Sequence, residues 1–302
     1  MRHSRRLVVI AGTVAVSAAI ATSSVSAQGY GESDEGYGDP DSSSTSEFME
    51  TAVWVDDLDG VQFAMPNGLT IDRDGQVYST EFQGGHLRKF TPEGALELEV
   101  GGAGGEPGML ANPIGVAVAG DGTIYVSESG SSRVSRFDPD GAFHSAWGSA
   151  GSEPGQFFSA MGIAVSATPE VFVADFGNHR VQVFDAEGAF LREWGQAGSG
   201  PGDFENPIGV QVGPADDVWV VDSGNERVQV FSQEGELIRV FEDVGPGPQL
   251  ISLNDAGEFY VSSPWADSQV RHFSPNGELL GLVADGLSGP HGTATGPSGT
   301  VY

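Results

Sequence analysis

The chain has no cysteine. That excludes a disulfide framework, a thiol nucleophile, a cysteine-ligated zinc module and lipid attachment through sulfur. Basic residues are scarce as well. The 13 Lys and Arg stand against 42 Asp and Glu, for a net charge of −29, and Lys89 is the sole lysine. So negative a surface repels phosphate backbones, which excludes nucleic acid as a partner, and it favours solubility, cations or basic partners. Adaptation to salty surroundings is the plain reading of the charge. Beyond the N-terminus there is no long apolar run, so no membrane span is expected. A nucleotide-type phosphate loop and a nucleophile elbow are also missing.

What is present begins with an export signal. Arg2, Arg5 and Arg6 precede an apolar run from Leu7 to about Ala21, and Val25-Ser26-Ala27 supplies small residues for cleavage. Residues 1–27 therefore read as a signal peptide cleaved near Ala27. Ser4-Arg5-Arg6 resembles a twin-arginine signal, and the general secretory route fits the same segment. The expected location is extracellular, periplasmic or associated with the cell envelope. Residues 28–48 (QGYGESDEGYGDPDSSSTSEF) are rich in Gly, Ser and acid, cannot bury enough apolar area to fold, and read as a tether.

From residue 49 to 302 the chain repeats itself. Gly68, Gly115, Gly162 and Gly209 open apolar runs 47 residues apart, and Leu250 and Gly292 continue the series at spacings of 41 and 42. Ten residues after each anchor stands an aromatic: Tyr78, Tyr125, Phe172, Trp219, Tyr260 and Tyr302. The third unit reads as four strands, GIAVS, VFVAD, RVQVF and AFLREW, separated by the turns ATPE, FGNH and DAEG. The turn before the fourth strand recurs as TPEG, DPDG, DAEG, SQEG and SPNG, where Gly can take a positive φ. Both faces of the strands are apolar, so both must be covered. Four antiparallel strands per unit, covered on both sides, predict an all-β fold: a β-propeller with about five complete blades and the start of a sixth.

The pattern P-x-G-[IV]-x-V, V-x-V-[AV]-D-x-G-N-x-R-V-Q-V-F, then W-G and G-x-G-x-F resembles the NHL repeat family over about Val53 to Tyr302. The resemblance implies six blades. The sequence stops at Thr300-Val301-Tyr302 within a second strand, and TAVWVD (51–56) stands where a fourth strand is due. The expectation is that Ala52–Val55 completes the last blade, and that the sequence is C-terminally truncated by roughly fifteen residues.

Candidate site residues follow from that architecture. The loops entering each first strand and those between strands two and three share one end, where function concentrates. The pairs Glu128/Arg133, Asp175/Arg180 and Asp222/Arg227 keep one spacing in three blades and read as structural ion pairs across the turn, bidentate where geometry allows. Breaks in symmetry are the better ligand contacts: Phe82, His86 (in place of the Arg), Phe176, His179, Trp265 and Asp267, with blade five lacking the repeated acid–Arg pair. Trp265 alternatively caps the blade edge. DRDG (72–75) and DPDG (138–141) lack the calcium-loop continuation and read as turns. His144 and His272 are expected on outer strands.

The resemblance extends to peptidylglycine amidating lyases, which implies zinc held by His at the starts of first strands. Only His291 stands there; its equivalents are Asn67, Ile114, Met161 and Ile208. Virginiamycin-type lyases meet the same shortage. No cofactor is predicted, with Zn or Ca at His291 as the alternative. The leading expectation is a monomeric, secreted scaffold that binds an extracellular protein, peptide or glycan. The alternative is a metal-dependent lyase or lactone hydrolase.

Overall fold

Short runs of β-branched and aromatic residues between tight turns leave the chain little to build except antiparallel sheet. A computed structural model describes residues 6–10, 50–54, 63, 65–283, 289–296 and 301–302. Five four-stranded antiparallel blades span 66–101, 113–147, 160–194, 207–241 and 251–282, with strands hydrogen-bonded in chain order. Blade three shows the unit: Ala160–Val165, Val171–Asp175, Arg180–Phe184 and Phe190–Trp194. The second strand is buried at every position in all five blades, as a strand covered on both faces must be.

Successive first strands pack side by side around the axis. The anchor glycines stand where backbones approach. A Cβ on Gly209 would come within 2.6 Å of the Gln249 carbonyl oxygen, and one on Gly292 within 2.6 Å of the Asn67 oxygen. Hydroxyls join the same strands. Thr80 Oγ1 accepts the Gly68 N–H at 2.9 Å and donates to the Ile114 carbonyl of blade two at 2.8 Å. Ser127 links Gly115 to Met161, and Ser262 links Leu250 to His291, in the same way. Blades three and four carry Ala174 and Val221 at this position.

The W-G…F motif builds an aromatic knot between blades. Phe231 is buried against Trp194 of the preceding blade at 5.7 Å and Phe204 of the incoming loop at 5.5 Å. Phe184 repeats this with Trp147 and Phe157. Burying each such Phe contributes about 1.5–3 kcal/mol, and each ring pair about 0.5–1.5 kcal/mol more. The Trp194 ring lies 2.9 Å from where a Cβ on Gly235 would sit, so that turn glycine, at φ +87°, serves both the reversal and the packing.

Residues 291–296 and 301–302 start a sixth unit. Ala294 and Tyr302 exchange two backbone hydrogen bonds, beside a bridge between Thr295 and Val301. This start touches blade five through Ser262, and blade one through Gly292 and through Tyr302, which packs on the Phe63, Val77 and Phe90 cluster. No four-stranded sixth blade forms among the described residues.

The expected completion of the last blade by Ala52–Val55 is not seen among the described residues. The strand Glu50–Trp54 exists, but it pairs in parallel with Arg6–Ile10 rather than with the sixth unit. The sixth unit holds no third strand among the described residues. The remainder of the presumed signal peptide (1–27) and the tether (28–48) lie outside the described residues. No described helix is long and apolar enough to cross a membrane.

Candidate functional site

The repeated acid is the hub of a buried clamp at the end of the second strand in blades two, three and four. Asp222 accepts Arg227 Nε at 2.8 Å, Gln229 Nε2 at 3.1 Å, Asn225 Nδ2 at 2.9 Å and the Glu205 backbone N–H at 2.7 Å. Asp175 gathers Arg180, Gln182, Asn178 and the Phe158 N–H in the same way. Glu128 gathers Arg133, Ser135, Ser131 and the Ala111 N–H. The pairs are not bidentate. Only Nε meets the clamp carboxylate, while the terminal nitrogens, except Arg180 Nη1, which donates to Glu193 of the fourth strand at 2.9 Å, turn to carbonyls of the incoming loop. For Arg227 these are Ser199, Gly200 and Asp203. The clamp thus ties each strand-two/three turn to the loop arriving from the blade before.

Two readings of broken symmetry need correction. In blade one His86 leaves its Nδ1 without a hydrogen bond, 3.9 Å from Glu81, and Arg88, two residues on, pairs with Glu81 instead. Blade five does hold an acid–Arg pair. Arg271 binds Asp267 within the longer loop and reaches Ser263, the residue at the clamp acid's position. Residues two apart on a strand share a face, so a guanidinium moved by two positions still reaches the same point.

The face residues separate into three places. Phe82 is half-buried, its N–H bonded to the Met65 carbonyl at 2.9 Å. Phe176 begins the 3-10 turn Phe176–Asn178, which ends on His179 at φ 55°; His179 Nδ1 accepts the Asn206 N–H at 3.2 Å, joining blade three to blade four. Trp265, 67% exposed, stands edge-on to His291 with centroids 4.7 Å apart. Of the candidates, only Trp265 and His291 are brought into ring contact. Burial lowers the proton affinity of His291, which favours the neutral imidazole, and its buried Nδ1 has no hydrogen-bond partner among the described residues. His144 lies on a fourth strand and His272 on a third.

Two residues of this end were missed. Phe158 is 65% exposed on the loop entering blade three, beside Gly177. Met65 is 38% exposed, with φ 60°, on the same loop of blade one but one position further along, where blade three has Ser159. Phe158 was findable: it follows a buried aromatic where blades two and four have Ala111 and Glu205. With Trp265, these are the large apolar side chains exposed in the described loops, and all three lie on one end.

The axis mouth does not fit a zinc site. The residues at the starts of first strands are Asn67, Ile114, Met161, Ile208, Gln249 and His291. One imidazole falls short of the three protein ligands that a catalytic zinc takes. No group of three His, Asp or Glu with metal-binding spacing occurs among the described residues.

The NHL repeat model matches residues 110–137, 161–184 and 204–231, which are the loop-to-third-strand cores of blades two, three and four. The chain is an NHL-repeat β-propeller. No protein of curated function matches the sequence. Solved structures similar in fold include a streptogramin B lyase (15% identity, TM-score 0.60, covering 80% of this chain and 90% of that one). A gluconolactonase from Xanthomonas campestris (16%, 0.60, 79% and 82%) and a nidogen/laminin complex (17%, 0.61, 78% and 82%) are similar too. At these identities the likeness shows a shared fold alone, and the three differ in what they do.

Proposed function

We propose that this NHL propeller is an exported binding scaffold that takes a protein, peptide or glycan on the end carrying Trp265. The single observation behind this reading is the exposed Trp265 indole held against His291. A large flat side chain, positioned by a neighbour and left to solvent, is the kind of anchor that dominates recognition. The clamps of blades two to four brace neighbouring loops of the same end, which lowers the cost of ordering on binding. A metal-dependent lyase or lactone hydrolase is the competing reading. It rests on fold likeness, and the residues at the axis mouth do not fit its metal.

The test is a screen of peptide and glycan panels against the wild-type chain and Trp265→Ala. Ligands of this surface should lose binding in the variant. If every ligand found binds both proteins alike, the Trp265 surface is not the site.

A further inference from the structure

The loop end has an asymmetry of chemistry beyond its exposed rings. Several of its polar side chains are already engaged. Asn178 bonds the Gly151 carbonyl, Asn225 bonds that of Gly198, Ser129 bonds that of Asn112, and Ser268 bonds that of Pro264. Its positive charges are engaged as well. Arg88, Arg133, Arg180, Arg227 and Arg271 all lie in ion pairs with acids of the same end. The carboxylates are not so consumed. Glu106, Glu153, Glu226 and Asp243 are exposed on these same loops and take part in no ion pair among the described residues.

Resting on the reading of this end as a binding surface, we propose that its partner is a lysine- or arginine-bearing peptide segment of another protein. Acceptors with negative charge remain available and the donors are largely occupied, so the ligand must bring donors and positive charge. A cation over the face of Trp265 gains a cation–π contact that a neutral ligand does not, and Phe158 offers a second ring. A neutral sugar could donate to these carboxylates but would bring no positive charge to match them. The net charge of −29 steers a basic partner toward the protein from a distance, and the rings decide which end holds it.

The test uses a labelled penta-arginine peptide, its citrulline counterpart, spermine and a neutral hexasaccharide, measured by anisotropy or calorimetry at low salt. The arginine peptide should bind and the citrulline peptide should not. Trp265→Ala should weaken binding roughly three- to tenfold. Neutralising the loop end with Glu153→Gln and Glu226→Gln should weaken it further, whereas Glu93→Gln with Glu187→Gln, in turns at the opposite end, should leave it unchanged. Equal losses from both ends with none from Trp265→Ala would mean bulk charge attraction and would overturn the proposal. Spermine binding as tightly as the peptide would also overturn it. A hexasaccharide that binds through Trp265 while the peptide does not would sink the basic partner and leave the binding surface standing. If no probe responds to Trp265→Ala, both fail.

Discussion

The Trp265 indole meets the His291 imidazole edge-on, with 80° between the ring planes. The contact joins the strand-two/three loop of blade five to the start of the sixth unit, across 26 positions of sequence (265 to 291). The Ser262 hydroxyl fixes the same junction from below, donating to the His291 carbonyl at 2.6 Å.

That junction should be sensitive to acid. Burial disfavours the imidazolium, so folded His291 holds its proton more weakly than the ordinary value of 6.5 implies. As pH falls below 6.5 the unfolded chain takes up a proton before the folded one. The His291 contribution is complete above about pH 7 and is lost as pH falls toward the folded midpoint. Trp265 emission, isolated as the difference from Trp265→Phe, should titrate with a midpoint below 6.5. His291→Asn, which installs the residue of blade one, should abolish that titration and flatten the matching part of the stability profile. A midpoint at or above 6.5 would show that the imidazole is not desolvated.

The clamps should be costly to break. Asp222 and Arg227 are both buried, and Asp222→Ala strands a guanidinium and the Glu205 N–H at once. A loss of about 3–5 kcal/mol in urea unfolding is expected. A loss under about 1 kcal/mol would place the pair among weak surface contacts.

Two glycines with nearly the same φ should differ in their tolerance of alanine. Gly155 sits at φ +81° with open space where a Cβ would go, and Gly235 at φ +87° with the Trp194 ring there. Gly155→Ala should cost about 1 kcal/mol, the backbone penalty alone. Gly235→Ala should cost at least twice as much, because the interblade aromatic knot must move. Denaturation midpoints of the two variants test the difference.

The hydroxyl bridge offers a test of blade cohesion. Thr80→Val keeps the side-chain shape but leaves the Gly68 N–H and Ile114 carbonyl without their partner. About 1–3 kcal/mol should be lost. Val221→Thr, at the equivalent place in blade four, should bring no comparable gain. Equal and opposite effects would mean that the position answers to polarity rather than to pairing.

Much of the fold was legible because its units repeat. The anchors from Gly68 to Gly292, the turn glycines and the D-x-G-N-x-R spacing all report local demands that every blade makes again. The candidate site was legible only in part. Trp265 and His291 stood out as departures from the repeat, but nothing in their spacing said that they touch. Phe158 was hidden beside a core phenylalanine, since two adjacent aromatics look alike until one is seen to face solvent. Arg88 and Arg271 were overlooked because the repeat directs attention to one position, whereas a strand offers the same face two residues on.

The sequence by itself determined the strands, their order and the blade-to-blade fit, because period, turn chemistry and burial on both faces are written residue by residue. It also determined the excess of acid. The tertiary structure decided which charges remain available on the loop end, which rings reach solvent, and that Glu50–Trp54 pairs with Arg6–Ile10 rather than with the sixth unit. Those outcomes depend on contacts between blades and between distant segments, whose geometry no local pattern carries.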